Sequence, residues 1–396
     1  MAHARPLIGA LGLVAVAALP IFLTGSLAPE LRRDFPLSNA VLGVAVGVFF
    51  AASALASAPA GRLVARIGTP KAVRLTATLA IACSLGVALL VSSAAALIAI
   101  LVVGGLGNAV SSPAASAVLT RDLDLARHGI GYGALTAGAP IGSLLAGLAL
   151  PLVARPLDWR VAFLVGAALA LVVALLAGVR RDGTVGEAPQ AARAAAAIPG
   201  PSAVTHSHPD GRWDPVRRLA VAAALGSAAS TGLITLLVVF SVDSGMSSSG
   251  AGALLAVTGL AAAVSRIGLG MVADRSPQRA ATYLLVLLLG SSGGFLLLLT
   301  GTLPLIAVGA LVAGGLGWGW AGLMNLIAVR EGRYVPAEAV GIVMSGLFAG
   351  ALTGPIVIGL VAEHVGCDLA WLLAAGFAIA AAGAVASVET AHQTPE

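Results

Sequence analysis

Apolar runs of about twenty residues, each closed by a short polar or charged turn, recur along the whole chain. A run of that length, coiled as a helix, crosses the roughly 30 Å hydrocarbon layer of a bilayer. The pattern predicts helices near 7 to 29, 40 to 60, 72 to 92, 97 to 119, 129 to 153 and 160 to 179. A second set is predicted near 218 to 241, 250 to 272, 280 to 300, 304 to 328, 338 to 362 and 369 to 388. Between the sets, residues 181–217 carry an Ala/Pro-rich tract with arginines and histidines, which cannot bury a core and reads as a linker. The expected organisation is a six-helix bundle over 1–180, a cytoplasmic linker over 181–217 and a second six-helix bundle over 218–396.

The two sets are copies of one unit. Gly61-Arg-Leu-Val-Ala-Arg-Ile-Gly68 answers Gly270-Met-Val-Ala-Asp-Arg-Ser-Pro277, and at the same separation Asp34 falls on Asp243, Gly43 on Gly252 and Arg121 on Arg330. With small loop insertions, Gly104-Gly-Leu-Gly107 recurs as Gly314-Gly-Leu-Gly317, and Gly138, Gly142 and Gly147 recur as Gly350, Gly354 and Gly359. An internal repeat of this length decides the fold class: an all-α integral membrane protein with twelve transmembrane helices in two parallel six-helix repeats.

Composition agrees. Of 396 residues 59% are hydrophobic and only 10% charged, against roughly 25% charged in soluble domains. Fifty glycines, most of them inside apolar runs, suit lipid-embedded helices that approach closely through small residues. The formal net charge of +5 comes from arginines in loops, which points to no nucleic-acid partner. Two cysteines, Cys83 and Cys367, are too few for a disulfide framework to organise the chain. The first apolar run is read as a retained helix and not a cleaved signal, because it is the repeat partner of the run beginning near 218.

Cations set the expected orientation. Arg62, Arg66, Lys71, Arg74, Arg121, Arg127, Arg275, Arg279, Arg330 and Arg333 fall on one side with the linker arginines; Arg32, Arg33, Arg155 and Arg160 fall on the other. The positive-inside rule then puts both termini in the cytoplasm of a plasma (inner) membrane.

On these residues the chain resembles the major facilitator superfamily over essentially its whole length. That family's signature between its second and third helices is glycine-x-leucine-alanine-aspartate-arginine-x-glycine. It is matched by Gly270, Ala273, Asp274 and Arg275, and in the first copy by Gly61, Leu63, Arg66 and Gly68, with Ala65 where the aspartate belongs. The resemblance implies a cytoplasmic gate of Arg66, Asp274 and Arg275, with the cytoplasmic end of the fifth helix as partner of Asp274 and Arg275; because Ala65 replaces the aspartate in the first copy, Arg66 is expected to find Glu338 instead. The fifth and eleventh helices, with Gly138, Pro140 and Gly142, and with Gly354 and Pro355, are similar to the family's glycine/proline motif and imply hinge or packing roles. The fourth helix has Leu101 where many members place an arginine. Its Gly107-Asn108 and Pro113 resemble the fourth helix of cyanate permeases.

An ionisable side chain at membrane depth is costly and marks a functional site by default. No carboxylate lies well inside a predicted span, and the one cation that does is Arg266. Arg266-x-x-x-Gly270-x-x-x-Asp274 resembles the eighth helix of oxalate/formate antiporters and monocarboxylate transporters, which implies that Arg266 holds a substrate carboxylate. A guanidinium suits that task, being permanently charged and able to pair bidentately. Ala262 stands where monocarboxylate transporters have an aspartate, and no lysine lies between Gly346 and Gly354, so a dianion clamp is not expected. The competing reading of Arg266 is a gate-stabilising cation bonded to helix-end carbonyls.

Asn108, Tyr132 and Asn325 join Arg266 as candidate substrate-binding residues; Trp318 and Trp320 read as packing, and Asp34 and Asp243 as helix ends or outer pairs. His206 and His208 lack supporting ligands, so no metal and no cofactor is expected. No catalytic constellation or nucleotide loop appears, and the chain is not expected to be an enzyme. The expected function is secondary active or facilitative transport of a small organic anion, monocarboxylate-like, by alternating access. The partners are that small molecule, a counter-ion or exchanged anion, and the lipid bilayer. The alternative is export of apolar drugs or metabolites.

Overall fold

The structure, a computed structural model, describes residues 4–122, 128–178, 214–331 and 336–391. Most of the expected linker lies outside the described residues, as do the side chains of Tyr132, Asp274, Asn325 and Glu338. The first half comprises α1 (Ala4–Ser26), α2 (Ala28–Asp34), α3 (Asn39–Ile67), α4 (Thr69–Leu90), α5 (Ala94–Asp122), α6 (His128–Ala149) and α7 (Trp159–Gly178). The second comprises α8 (Asp214–Asp243), α9 (Ser248–Arg275), α10 (Ala280–Leu298), α11 (Leu303–Gly317), α12 (Ala321–Glu331), α13 (Pro336–His364) and α14 (Cys367–Ala391). Among the described residues twelve stretches are long and apolar enough to cross a membrane, α11 and α12 together making one of them.

Three features went unread in the sequence. A short helix, α2, follows the first span and folds Glu30 under it, with Pro29 in its first turn. The last turn of α6 widens into a π-helical segment, Leu150–Ala154, around Pro151. The tenth span, expected to run unbroken from 304 to 328, stops at Gly317 and resumes at Ala321, so that Trp318-Gly-Trp320 forms a turn at membrane depth.

Local sequence explains the helix ends. Ser38 caps α3 by accepting from Val41 N at 3.3 Å, and its repeat partner Ser247 caps α9 by accepting from Gly250 N at 3.1 Å. Gly68 closes α3 at φ 78°, a left-handed value that costs glycine nothing, and its N–H returns to Val64 O.

The helices α1 and α8 lie at the centre: 83% and 89% of their apolar windows are buried, against 33% for the sixth and eighth spans. Leucines and valines on the outer helices, such as Leu55, Leu89, Leu152 and Leu176, stay exposed, as a lipid-facing surface requires.

Glycines set how the rest packs. Within each half, α6 lies on α1 through Gly138 and Gly142, and α13 lies on α8 through Gly346, Gly350 and Gly354 against Ala220, Ala224 and Ala228. Across the halves the repeat recurs with exchanged partners. A Cβ at Gly147 of α6 would fall 2.6 Å from Gly252 O of α9, and one at Gly359 of α13 would fall 2.6 Å from Asn39 O of α3. No side chain fits either place. Gly43 against Pro355 and Gly259 against Leu144 continue these two seams. The glycine contacts described between the halves lie at mid-depth or toward the face opposite the Gly61–Gly68 and Gly270–Pro277 turns.

Candidate functional site

At mid-depth the two halves enclose a small cleft. Its walls are Ile21, Phe22 and Gly25 of α1, Val46 and Phe50 of α3, Thr231, Ile234 and Thr235 of α8, and Trp318 from the turn between α11 and α12. The wall is apolar in effect, because the two threonines spend their hydroxyls on their own helix: Thr231 Oγ1 donates to Ser227 O at 2.6 Å and Thr235 Oγ1 to Thr231 O at 2.7 Å.

The break in the tenth span puts Trp318 there. A helix interrupted in lipid leaves carbonyls without their partners, and they need donors from elsewhere. Ser230 Oγ of α8 donates to Gly317 O at 2.6 Å, and Arg266 Nε of α9 donates to Trp318 O at 2.6 Å. The Trp318 ring meets Phe22 edge-on, centroids 5.6 Å apart at 70°. Its face lies 5.6 Å from the Arg266 guanidinium carbon, within cation–π range.

Arg266 itself is part-buried. Beyond Trp318 O it donates through Nη1 to the carbonyl of Thr136 in α6, so it bridges the halves. No described carboxylate pairs with it. A permanent cation at this depth thus has, among the described residues, two neutral carbonyls and an indole face for company, and two of its five N–H donors have a described acceptor.

The other sequence candidates are placed as follows. Asn108 Nδ2 donates to Ser53 Oγ at 3.1 Å, and Ser53 Oγ donates to Gly105 O at 2.9 Å, an interaction that joins α5 to α3. Tyr132 and Asn325 sit on α6 and α12, with side chains outside the described residues. On the turn face Arg66 and Arg275 are exposed, while the side chains of Asp274 and Glu338 are not described, so the expected gate pairs lie outside the described residues. Trp320 is buried in the second half against Gly226, which agrees with packing. On the far face, Asp34 accepts from Trp159 Nε1 at 3.0 Å and Arg160 Nη1 at 2.9 Å, an outer pair confined to the first half. Those donors hold its carboxyl below the ordinary aspartate value, the indole contributing most.

Sequence reasoning missed three participants. The Thr136 carbonyl carries no side-chain signal, although Pro140 four residues on is the clue to it. Glu363, in the last turn of α13, accepts from Ala40 N at the start of α3 at 3.2 Å and so links the halves. Glu30 is 7% exposed and pairs with Arg33.

Solved structures resemble this arrangement throughout. The nucleoside transporter NupG aligns at 15% identity over 96% of this chain and 99% of its own, with a TM-score of 0.70. A bacterial homologue of the human lysosomal transporter Spinster, in an inward-facing and occupied conformation, aligns at 17% identity over 98% and 97%, TM-score 0.71. The human organic anion transporter MFSD10 (TETRAN) aligns at 16% identity over 97% and 100%, TM-score 0.68. At such identities the likeness speaks for the fold alone. No curated protein matches the sequence. The Major Facilitator Superfamily profile matches residues 10–333 and 219–395, and with the twelve spans and paired repeats this settles the family: the chain belongs to the Major Facilitator Superfamily.

Proposed function

We propose that the protein carries a small organic monoanion, monocarboxylate-like, by alternating access, with Arg266 as the receptor for its charge. One observation carries this reading: a permanently charged guanidinium stands at membrane depth beside the central cleft with no described carboxylate to balance it. An uncompensated buried charge is costly, and a mobile anion offsets that cost only while bound. The resemblance of α9 to monocarboxylate carriers supports the same role, and Asn108, Tyr132 and Asn325 are proposed as further contacts. The absence of a lysine between Gly346 and Gly354 limits the cargo to one strong negative charge.

The arginine-rich turn face is proposed to be cytoplasmic, with both termini on that side of a plasma membrane. Arg66, Asp274 and Arg275 then form the cytoplasmic gate, and Gly138, Pro140, Gly142, Gly354 and Pro355 the flexing and packing surfaces on which the halves rock. The seams on the opposite face suit a carrier closed to the outside. Exchange against a second anion, or coupling to a counter-ion, completes the cycle.

A thermal-shift screen of the purified protein against short carboxylates, inorganic anions and hydrophobic drugs tests this, repeated with Arg266→Ala and Arg266→Lys. One anion series should stabilise the wild type, and Arg266→Ala should weaken it at least tenfold, the scale of a lost charged hydrogen bond. Unchanged affinity in both variants would sink the assignment. A second reading, export of apolar compounds, is favoured by the apolar lining of the cleft; it prevails if only apolar compounds stabilise the protein and the variants respond alike.

A further inference from the structure

Helix α6 carries proline at position 140, and proline has no N–H to donate to the carbonyl four residues before it. That carbonyl belongs to Thr136, and it is the one that accepts from Arg266 Nη1 across the halves. The second acceptor, Trp318 O, lies in the break between α11 and α12. One guanidinium is therefore held by one helix irregularity from each half. Among the described contacts of the α6–α9 seam, the tie to Thr136 lies on the turn-face side of Gly147 with Gly252 and Gly259 with Leu144.

From this geometry we infer that the Thr136 carbonyl is a resident competitor for the transported anion, and that Pro140 is the positioning residue that creates it. The inference rests on the reading of Arg266 as the anion receptor. A carboxylate is a stronger acceptor for a guanidinium than a neutral amide carbonyl. On arrival it takes the Nη donors, and the carbonyl that loses them is the one joining α9 to the opposite half. Cargo binding and release of the interface become a single exchange of hydrogen bonds. This supplies what a two-state carrier needs, a contact that differs between states and that the ligand itself removes. With any residue but proline at 140, a backbone N–H would be available to occupy Thr136 O within α6, and the competitor would be weakened.

Another proline of the first half supplies the control. Pro59 stands exposed inside α3, and the carbonyl four residues earlier, that of the exposed Leu55, accepts from no arginine among the described residues. Pro59→Ala therefore restores an N–H inside a helix without touching the tie, whereas Pro140→Ala acts on the tie.

The experiment uses the full-length protein with Cys83 and Cys367 replaced and two measurements on each variant. The first is the affinity for acetate, butyrate and benzoate. The second is the spin-label distance between positions 36 and 365 on the far face and between 71 and 279 on the turn face. Pro140→Ala should bind the carboxylates about tenfold tighter, because a competing charged hydrogen bond is weakened. It should also populate longer 36–365 distances without ligand, as should Arg266→Ala, while Pro59→Ala matches the wild type in both. Wild-type affinity and distances in Pro140→Ala, or the same changes in Pro59→Ala, would overturn the inference. If none of the carboxylates binds the wild type, the monoanion reading fails on its own account, and the unliganded distances decide the tie: a shift in Pro140→Ala upholds it and no shift removes it.

Discussion

Asp34 stands where the first half turns back into the membrane at α7, held by the Trp159 indole and the Arg160 guanidinium. Both donors favour the ionised carboxylate, so its folded pKa lies below its unfolded one. A group shifted in that direction contributes stability above its unfolded pKa and loses it as pH falls through the folded value. The window therefore opens at the ordinary aspartate value of 3.8 and extends below it. The group is exposed and its ion pair screened, so the effect is small. Asp34→Asn should leave the melting temperature at pH 7 nearly unchanged and flatten its fall between about pH 4 and pH 3, the ordinary range of an aspartate and just below it. A wild-type acid profile in the variant would show that the pair contributes nothing. The aspartate itself was legible as a helix-end residue, because its position is repeated at Asp243. Its partners were not, since Trp159 and Arg160 are brought to it only by the packing of α7. Arg266 was legible for the opposite reason, as a lone charge in an apolar run. The carbonyls that hold it belong to no side chain and could be found only through the helix irregularities that free them.

Among elements, the glycine positions carried most of the information, and the structure gives each a distinct surface. Gly354 faces α8 so closely that a Cβ would lie 2.7 Å from Ala228 C, whereas a Cβ at Gly376 of α14 meets nothing within 4 Å. The two should respond oppositely to the same methyl group. Gly354→Ala is expected to destabilise by about 1–3 kcal/mol through overpacking, and Gly376→Ala to stabilise by up to about 1 kcal/mol through helix propensity. Denaturant unfolding in detergent reads both, and a neutral Gly354→Ala would mean that α13 can withdraw from α8 at little cost. The repeated glycines were visible in the sequence because backbone contact admits no substitute, so the pattern survives in both copies. The broken tenth span was not, because hydropathy averages over a window and registers apolar content without registering helix continuity. Trp318 and Trp320 alternate with Gly317 and Gly319, which in retrospect is the local signal: bulky rings flanked by residues of low helix propensity.

For the whole molecule, the described glycine seams between the halves lie toward one face. The α3–α13 and α6–α9 contacts close the face opposite the arginine-rich turns, while Arg62, Arg66 and Arg275 stand exposed on the turn face. The glycine seams are neutral and complementary by shape; Glu363 adds a charge to them. Its carboxylate belongs to α13 in the second half and accepts from Ala40 N at the start of α3 in the first, where the helix dipole favours an anion. Arg32 braces the same corner, donating to Leu37 O at 2.7 Å and to Asn39 Oδ1 at 2.6 Å, so the loop that presents Ala40 is held in place. Separation of the halves on this face must break the Glu363 contact and expose both groups to water. An interaction of this kind is worth about 0.3–1 kcal/mol at an exposed site, which corresponds to a change of roughly two- to fivefold in the ratio of closed to open forms. Glu363→Ala should lower that ratio by this factor, visible as growth of the longer 36–365 distance. Glu363→Gln, which keeps an acceptor but loses the charge, should fall between the two. Adding salt should move the wild type toward the glutamine variant and leave the alanine variant where it is, because screening acts only on the charge. If Glu363→Ala leaves the distance distribution unchanged, the far face is held by its glycine seams alone, and the weight of closing it falls on shape complementarity between α3 and α13.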